Sequence, residues 1–553
     1  MAVAKTIAPP PDTQGQLDPV QQYMRQRCVL RGYILLAVVF LLGMWVYWGV
    51  FAQVPVEHED DAEHFKYGSI GADVDTGLPY WIWWVLPDVF TKHLPEPDKY
   101  RALPEAERTS RAAYSQFGFV YEDGHALPMG FTQRRVIVDR IGLNCAVCHV
   151  ATVRVTEGMH PERIYGRAPA YTSPAKERAV VLGMPAVTTD LGAYLQFLHK
   201  CANDPDFTAE NILAAIDKRH KLGVLDRVLY KAAVPEVQKT LRKQADDLTF
   251  LRTSPPAGPG RIDTFNPYKR QVFRFPADDT VGTADFPSIW NQRPREGMKL
   301  HWDGNNTSVF ERNISASMGA GASPVSLDMP RMLRVANWLG APDPKHDLTA
   351  EEIQTARADP RPRPGELPIP RYAFDIDHSK AARGGAVYAQ HCAKCHDWQG
   401  AYIGQVEPIE KIGTDPYRLY SFTPELAANQ NTLGSGSWWR FRHFRKTNGY
   451  VNMPLDGLWA RAPYLHNGSV ASLAELLEAP EKGRRRPEAK YRGDDVYDPV
   501  RVGFRADSPL SADGRKLFEF KHAERGNSDV GHTYGTELPA DEKQALLEYL
   551  KTL

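Results

Sequence analysis

Two short stretches hold the residues best suited to chemistry. Residues 142–149 read Gly-Leu-Asn-Cys-Ala-Val-Cys-His, and residues 392–396 read Cys-Ala-Lys-Cys-His. In each, two thiols are separated by two residues and a histidine stands directly behind. In that arrangement both sulfurs can add to the vinyl groups of one haem while the imidazole binds its iron. The motifs predict thioether attachment at Cys145, Cys148, Cys392 and Cys395 and iron ligation by His149 and His396, hence two covalently bound haem c groups. A structural zinc site or a redox dithiol is the competing use of such a pair. Zinc would need two further ligands, and no third or fourth cysteine lies near either motif.

The elements that position these motifs belong to a chain of 553 residues, longer than one hydrophobic core usually serves, so two or more domains are expected. Hydrophobic residues make up 42% and charged residues 24%, ordinary values for a globular protein. Lys and Arg balance Asp and Glu at 67 each, so nothing in the charge calls for a nucleic-acid partner. Residues 1–28 carry prolines at 9–11 and the basic Lys5, Arg25 and Arg27, and read as a cytoplasmic tail. Residues 29–51 have the length and apolarity of one transmembrane helix, with Tyr47 and Trp48 as an interfacial belt. Basic residues precede this span, and Glu57, Glu59, Asp60, Asp61 and Glu63 follow it. The positive-inside bias therefore predicts a single-pass inner-membrane protein with a cytoplasmic N-terminus and a periplasmic body. A cleaved signal ending near Val50-Phe51-Ala52 competes, but the apolar run exceeds the roughly 7–15 residues usual for a signal. Cys28 and Cys201 then fall on opposite sides of the membrane and cannot pair.

Along the body, residues 77–95 place three tryptophans at 81, 83 and 84, a stripe expected in a core, with Pro87 and Pro95 bracketing a short helix. A Pro- and Tyr-rich loop follows His149. Residues 207–251 repeat apolar side chains near helical spacing, including Ile212, Ile216, Leu225 and Val228. Residues 286–304 are too irregular for long secondary structure, and their Trp, His, Asn and Arg content suits a pocket-lining loop. Residues 327–339 read as a helix stopped by Gly340 and Pro342. The Pro-rich residues 359–371 read as a linker. Helices are predicted over 378–391, running into the second motif, and over 540–553.

At these residues the chain resembles the bacterial di-haem cytochrome c peroxidase superfamily, and is closer to the branch that contains the haem-dependent rubber oxygenases. The resemblance rests on the two haem motifs, on ANWLGAP before the linker, on RGGAVYAQHCAKCH after it, and on RAPYLHNGSVASLAELL at 461–477. It covers roughly residues 118–553. It implies a mainly α fold of two cytochrome c-like haem domains with long irregular loops, here residues 52–358 and 372–553 behind the anchor.

The resemblance also frames the iron ligands. In the peroxidases a Met fourteen residues after the His of a Tyr-x-His-x-Gly motif binds the high-potential haem, whereas fourteen after His466 this chain has Pro480. The rubber oxygenases use a second, late His, and the matching residue here is His532, with His466 and Met453 as alternatives. Two imidazoles favour ferric iron and suit electron transfer. His149 has no evident distal partner, so its haem would be the reactive one, with Trp302, and His301 and Phe310 nearby, as candidate distal-pocket residues. The expectation is an oxidoreductase of peroxidase-like or oxygenase-like type. It would serve a small-molecule oxidant and a periplasmic or membrane electron-transfer partner. The alternative is a pure electron carrier with both irons six-coordinate.

Overall fold

An apolar run without a polar stripe forms a helix that is apolar all round. The helix Pro19–Val50 starts polar, with Gln21, Gln22, Arg25 and Arg27, and becomes such an element beyond Arg31; its Pro19–Met44 part is long and apolar enough for a membrane anchor or a signal sequence. The computed structural model describes residues 18–50, 53–167, 170–172, 176–248, 254–276, 278–479 and 489–553. The prolines at 9–11, Phe51-Ala52 of the cleavage-like sequence, and Pro480 lie outside these residues. Contacts divide the chain into two units, one running to Val54 with Arg135–Ile137, the other comprising Pro55–Arg134 and Val138–Leu553. Both haem motifs belong to the second unit, and residues 359–371 lie within it.

About 42% of the chain is helical, and the strands form only small sheets and ribbons, so helices set the architecture. Within the second unit, helices Tyr80–Val89, Leu191–Asn203, Ala209–Arg219 and Val224–Asp247 surround one apolar cluster that holds Trp83, Phe197, Ile212, Tyr230 and Leu241. Pro87 lies inside the first of these helices rather than ahead of one, and only a 3-10 turn, Thr91–His93, separates it from Pro95. Proline lacks the N–H that would bond to the Trp83 carbonyl. That carbonyl accepts from the Tyr114 hydroxyl at 2.6 Å instead, which lets the helix continue. On Val224–Asp247 the packed face runs through Tyr230, Val234 and Leu241, and it leaves Leu225 and Val228 exposed.

A second cluster joins Val150, Val181 and Trp290 to Tyr388, Trp459 and Leu546, so residues on both sides of 359–371 share it. Its ribbon pairs Val150–Arg154 antiparallel with Arg178–Leu182, Ala151 facing Val181, where a loop was expected after His149. The β-branched residues in both segments favour strand. A third cluster packs helices Val309–Gly319 and Met329–Trp338 against Phe422, Phe441 and Phe444. Helix His378–His391 starts where the Asp377 carboxylate accepts the N–H groups of Ser379 and Lys380 at 3.1 and 3.0 Å. It is crossed by Ala540–Leu550 at Gly384, where a Cβ would collide with the Ala545 carbonyl.

Candidate haem sites

The first motif leaves strand Val138–Leu143 and enters a single 3-10 turn, Cys145–Val147. Asn144 caps it: its side-chain oxygen accepts from Ala146 N–H at 2.9 Å, and its amide donates to the carbonyls of Phe65 and Gly68 at 3.0 and 2.9 Å. From the other side, Gly183 N–H donates to the His149 carbonyl at 2.8 Å and Ala186 N–H to the Cys148 carbonyl at 3.0 Å. The backbone is thus clamped while Cys145, Cys148 and His149 keep partly exposed side chains. Burial pushes the Cys145 thiol up to about 11 and that of Cys148 to about 12. Burial also pushes the His149 imidazole down to about 3, with the charge of Arg312 adding to the fall and the Pro287 backbone opposing it. His149 is therefore held neutral, the form that binds iron. Its Nδ1 is buried and forms no well-aligned hydrogen bond among the described residues. The Phe286 ring lies 6.1 Å away.

At the second motif, Cys392 ends the His378–His391 helix and Ala393–His396 forms one more turn. His396 Nδ1 sits 2.8 Å from the Met453 carbonyl. A carbonyl can only accept, so Nδ1 carries the proton and Nε2 keeps the lone pair a metal needs. The His532 ring centre is 6.2 Å from that of His396, with the planes at 45°. Two imidazoles bound to one metal at ~2 Å each put their ring centres ~6 Å apart. The pair therefore fits a single iron between them. His532 reaches this place from a left-handed backbone, φ 46°, fixed by its N–H donating to the Ile412 carbonyl at 2.8 Å.

The other candidates lie elsewhere. His466 is buried and stacked on Tyr450, ring centres 4.0 Å apart, and its Nε2 has no hydrogen-bond partner among the described residues. Burial, with Arg418 and Arg261, pushes its pKa far down. The next residues turn sharply at Gly468, φ 62°, where a Cβ would collide with Arg492 and Asp285. Met453 engages His396 through its carbonyl. Trp302 donates from Nε1 to the Asp285 carbonyl at 2.8 Å and accepts Val451 N–H at its own carbonyl at 2.9 Å. Phe310 instead stacks on Trp438.

Two residues gain importance from the structure. His301 has a left-handed backbone, φ 61°, and a buried Nε2 without a hydrogen-bond partner among the described residues. Burial, with Arg312 and then Arg418, drives its pKa far below the usual value. Arg312, on the Val309–Gly319 helix, is buried and acts electrostatically on Cys145, His149 and His301. Only the proximity of His301 to Trp302 hinted at the first, and no sequence signal marked the second.

Comparisons with known proteins bear on part of the chain. Residues 449–489, which include His466 and Met453, match a family model described as RoxA-like, cytochrome c-like. The uncharacterized protein y4iJ of Sinorhizobium fredii (strain NBRC 101917 / NGR234) is 27% identical over 79% of this chain and 84% of its own length. The uncharacterized protein y4iM of the same strain is 29% identical over 49% of this chain and 64% of its own length. The RoxA-like cytochrome c match supports the rubber-oxygenase-like branch of c-type cytochromes and, with the Cys-x-x-Cys-His motifs, covalently bound haem c.

Proposed function

We propose that this protein is a membrane-anchored, periplasmic di-haem c-type cytochrome and an oxidoreductase. Electrons pass from a bis-His haem at Cys392, Cys395 and His396 to a reactive haem at Cys145, Cys148 and His149 that uses peroxide or dioxygen. The observation that carries the reading is the His396 and His532 ring pair, 6.2 Å apart, with Nδ1 of His396 tied to Met453. When bound, haem supplies reversible one-electron chemistry and, where a sixth position is open, reaction with an oxidant.

The chain's own residues orient and connect the two sites. His396 is fixed in one tautomer, and His532 is presented from a constrained turn. A path of covalent and hydrogen bonds runs from His396 through the Met453 carbonyl and strand Gly449–Val451 to Trp302, and from its indole to the Asp285 carbonyl. Phe286 then packs beside His149. In this reading Trp302 bridges the two haems as well as bordering the first pocket. Residues 52–358 and 372–553 are the two haem domains, joined through a shared core, and a periplasmic or membrane partner delivers electrons.

A second reading, a pure electron carrier, is favoured by one observation: His301 has an unpartnered Nε2 among the described residues and shares with His149 the influence of Arg312. As a sixth ligand it would close the first haem. Exposure of the ferrous protein to carbon monoxide separates the two. The oxidoreductase reading expects one haem to shift its Soret band; no shift at either haem overturns it and leaves the carrier. His532→Ala is expected to turn the other haem five-coordinate or force a new ligand, and unchanged spectra would sink the bis-His assignment.

A further inference from the structure

Burying a charge is costly unless an opposite charge meets it. Four buried arginines obey this within 3.3 Å: Arg134 with Asp73, Arg295 with Asp456, Arg418 with Asp303, and Arg492 with Asp285. Among the described residues Arg261 lacks such a pair but donates to the carbonyls of Ala257 and Gly526, and Asp285, Asp415 and Glu524 all favour its charge. Arg312 differs from all of these. Among the described residues it forms no ion pair, and its one hydrogen bond is a 3.4 Å contact with Asn313 Oδ1 on the same helix. Glu296 bears on it, but that carboxyl accepts Val309 N–H at 3.1 Å and forms no ion pair with Arg312 among the described residues.

The fold nevertheless fixes this guanidinium in place. The helix that carries it is capped by Ser308 and held by Glu311, and Asn313 beside it donates to Gln292 at 2.7 Å. The groups that feel the charge are Cys145, His149 and His301, two from the first haem motif and one with a buried ring nitrogen free of partners among the described residues. An anion that satisfied Arg312 would therefore lie at the first haem site, and a neutral His301 has its one ring N–H to offer it.

We propose that Arg312 is the anion-binding group of the first haem pocket. Its guanidinium pairs with a carboxylate of the haem held by Cys145 and Cys148, or with a small anion presented to that haem's iron. The inference rests on the reading that a haem is attached there. Both sources share one chemistry, a charge-assisted hydrogen bond from a forked donor.

The test uses the full-length holoprotein and the variants Arg312→Gln and Arg312→Lys. Haem on the peptide containing Cys145 and Cys148 is first verified by mass spectrometry; its absence from the unmutated protein sinks the functional reading itself. Azide and fluoride affinities of the ferric protein are then titrated optically, and the potential of the first haem is measured by spectroelectrochemistry. If the anion sits at the iron, Arg312→Gln weakens azide and fluoride about 10- to 100-fold, the range expected for losing one charge-assisted hydrogen bond. If the partner is the haem carboxylate, those affinities hold and the potential falls, because removing a positive charge favours ferric iron. Arg312→Lys keeps the charge without the fork, and gives a smaller change of the same kind. Loaded Arg312→Gln protein with unchanged affinities and potential overturns the proposal. Should that variant fail to load haem, Arg312→Lys indistinguishable from the unmutated protein in both readouts overturns it.

Discussion

A metal-binding imidazole needs a free lone pair and a fixed plane. His396 obtains both from one hydrogen bond to a backbone carbonyl, and burial holds its pKa below the usual value, the Met453 carbonyl opposing and Arg461 adding to the fall. At Trp302, replacement by Phe removes the bond to Asp285, a loss of about 1 kcal/mol that the body should survive. We expect Trp302→Phe to load haem and keep both potentials while electron transfer between the haems slows severalfold after flash photolysis. Equal rates would mean that the path avoids the indole. The attachment residues were legible from spacing, because thioether chemistry fixes it. His532 was not, since no spacing rule links histidines so far apart in the chain, and only resemblance to a family pointed to it. His301 was legible only as a neighbour of Trp302, and Arg312 was illegible for a different reason: being without a counter-charge is a property of surroundings assembled from distant segments.

Helices carry these residues to their places, and their anchors titrate. Glu311 accepts the backbone N–H groups of Arg442 and His443 at 2.7 and 3.0 Å and the His443 ring at 2.7 Å. The Glu311 carboxylate raises the His443 pKa, so protonated His443 is favoured in the folded state. That stability is fully present below the ordinary histidine value of about 6.5 and is lost as pH rises through the raised one. His443 is half exposed, so the effect should stay below about 1 kcal/mol. Denaturant unfolding at pH 6 and pH 9 should show a decline that Glu311→Gln removes; an identical slope in both proteins would refute the assignment. At the helix crossing, Gly384→Val forces a branched side chain against the Ala545 carbonyl, and overpacking costs about 1–3 kcal/mol. The second haem's bis-His spectrum should then be lost at lower temperature than the first haem's signal, and coincident losses would argue against a local effect. Helix His378–His391 was readable to the residue, because its capping Asp377 and its end at Cys392 are both local signals. The Val150–Arg154 strand was missed because its partner lies beyond a long loop.

At the scale of the molecule, the three apolar clusters draw their residues from the second unit alone. Replacing residues 1–52 with a cleavable export signal should therefore release a soluble body that retains its haem. Fractionation followed by haem staining checks this, and a body that stays with the membrane would reveal another lipid-binding surface. Composition suggested a boundary at the Pro-rich stretch 359–371, but composition does not report that Val181 and Leu546 pack into one cluster across it.

The protonated state of the first motif's thiols bears on the timing of assembly. With pKa values near 11 and 12, Cys145 and Cys148 in the finished fold are almost entirely uncharged at neutral pH, and a thiol is a far weaker nucleophile than its thiolate. Their backbone is also clamped from two sides, by residues 65–68 and by residues 183–186. A haem arriving late would meet weakly nucleophilic, partly exposed sulfurs on a backbone already clamped. If a haem is attached at this motif, the clamped backbone and the raised thiol pKa values favour attachment before the packing closes over it.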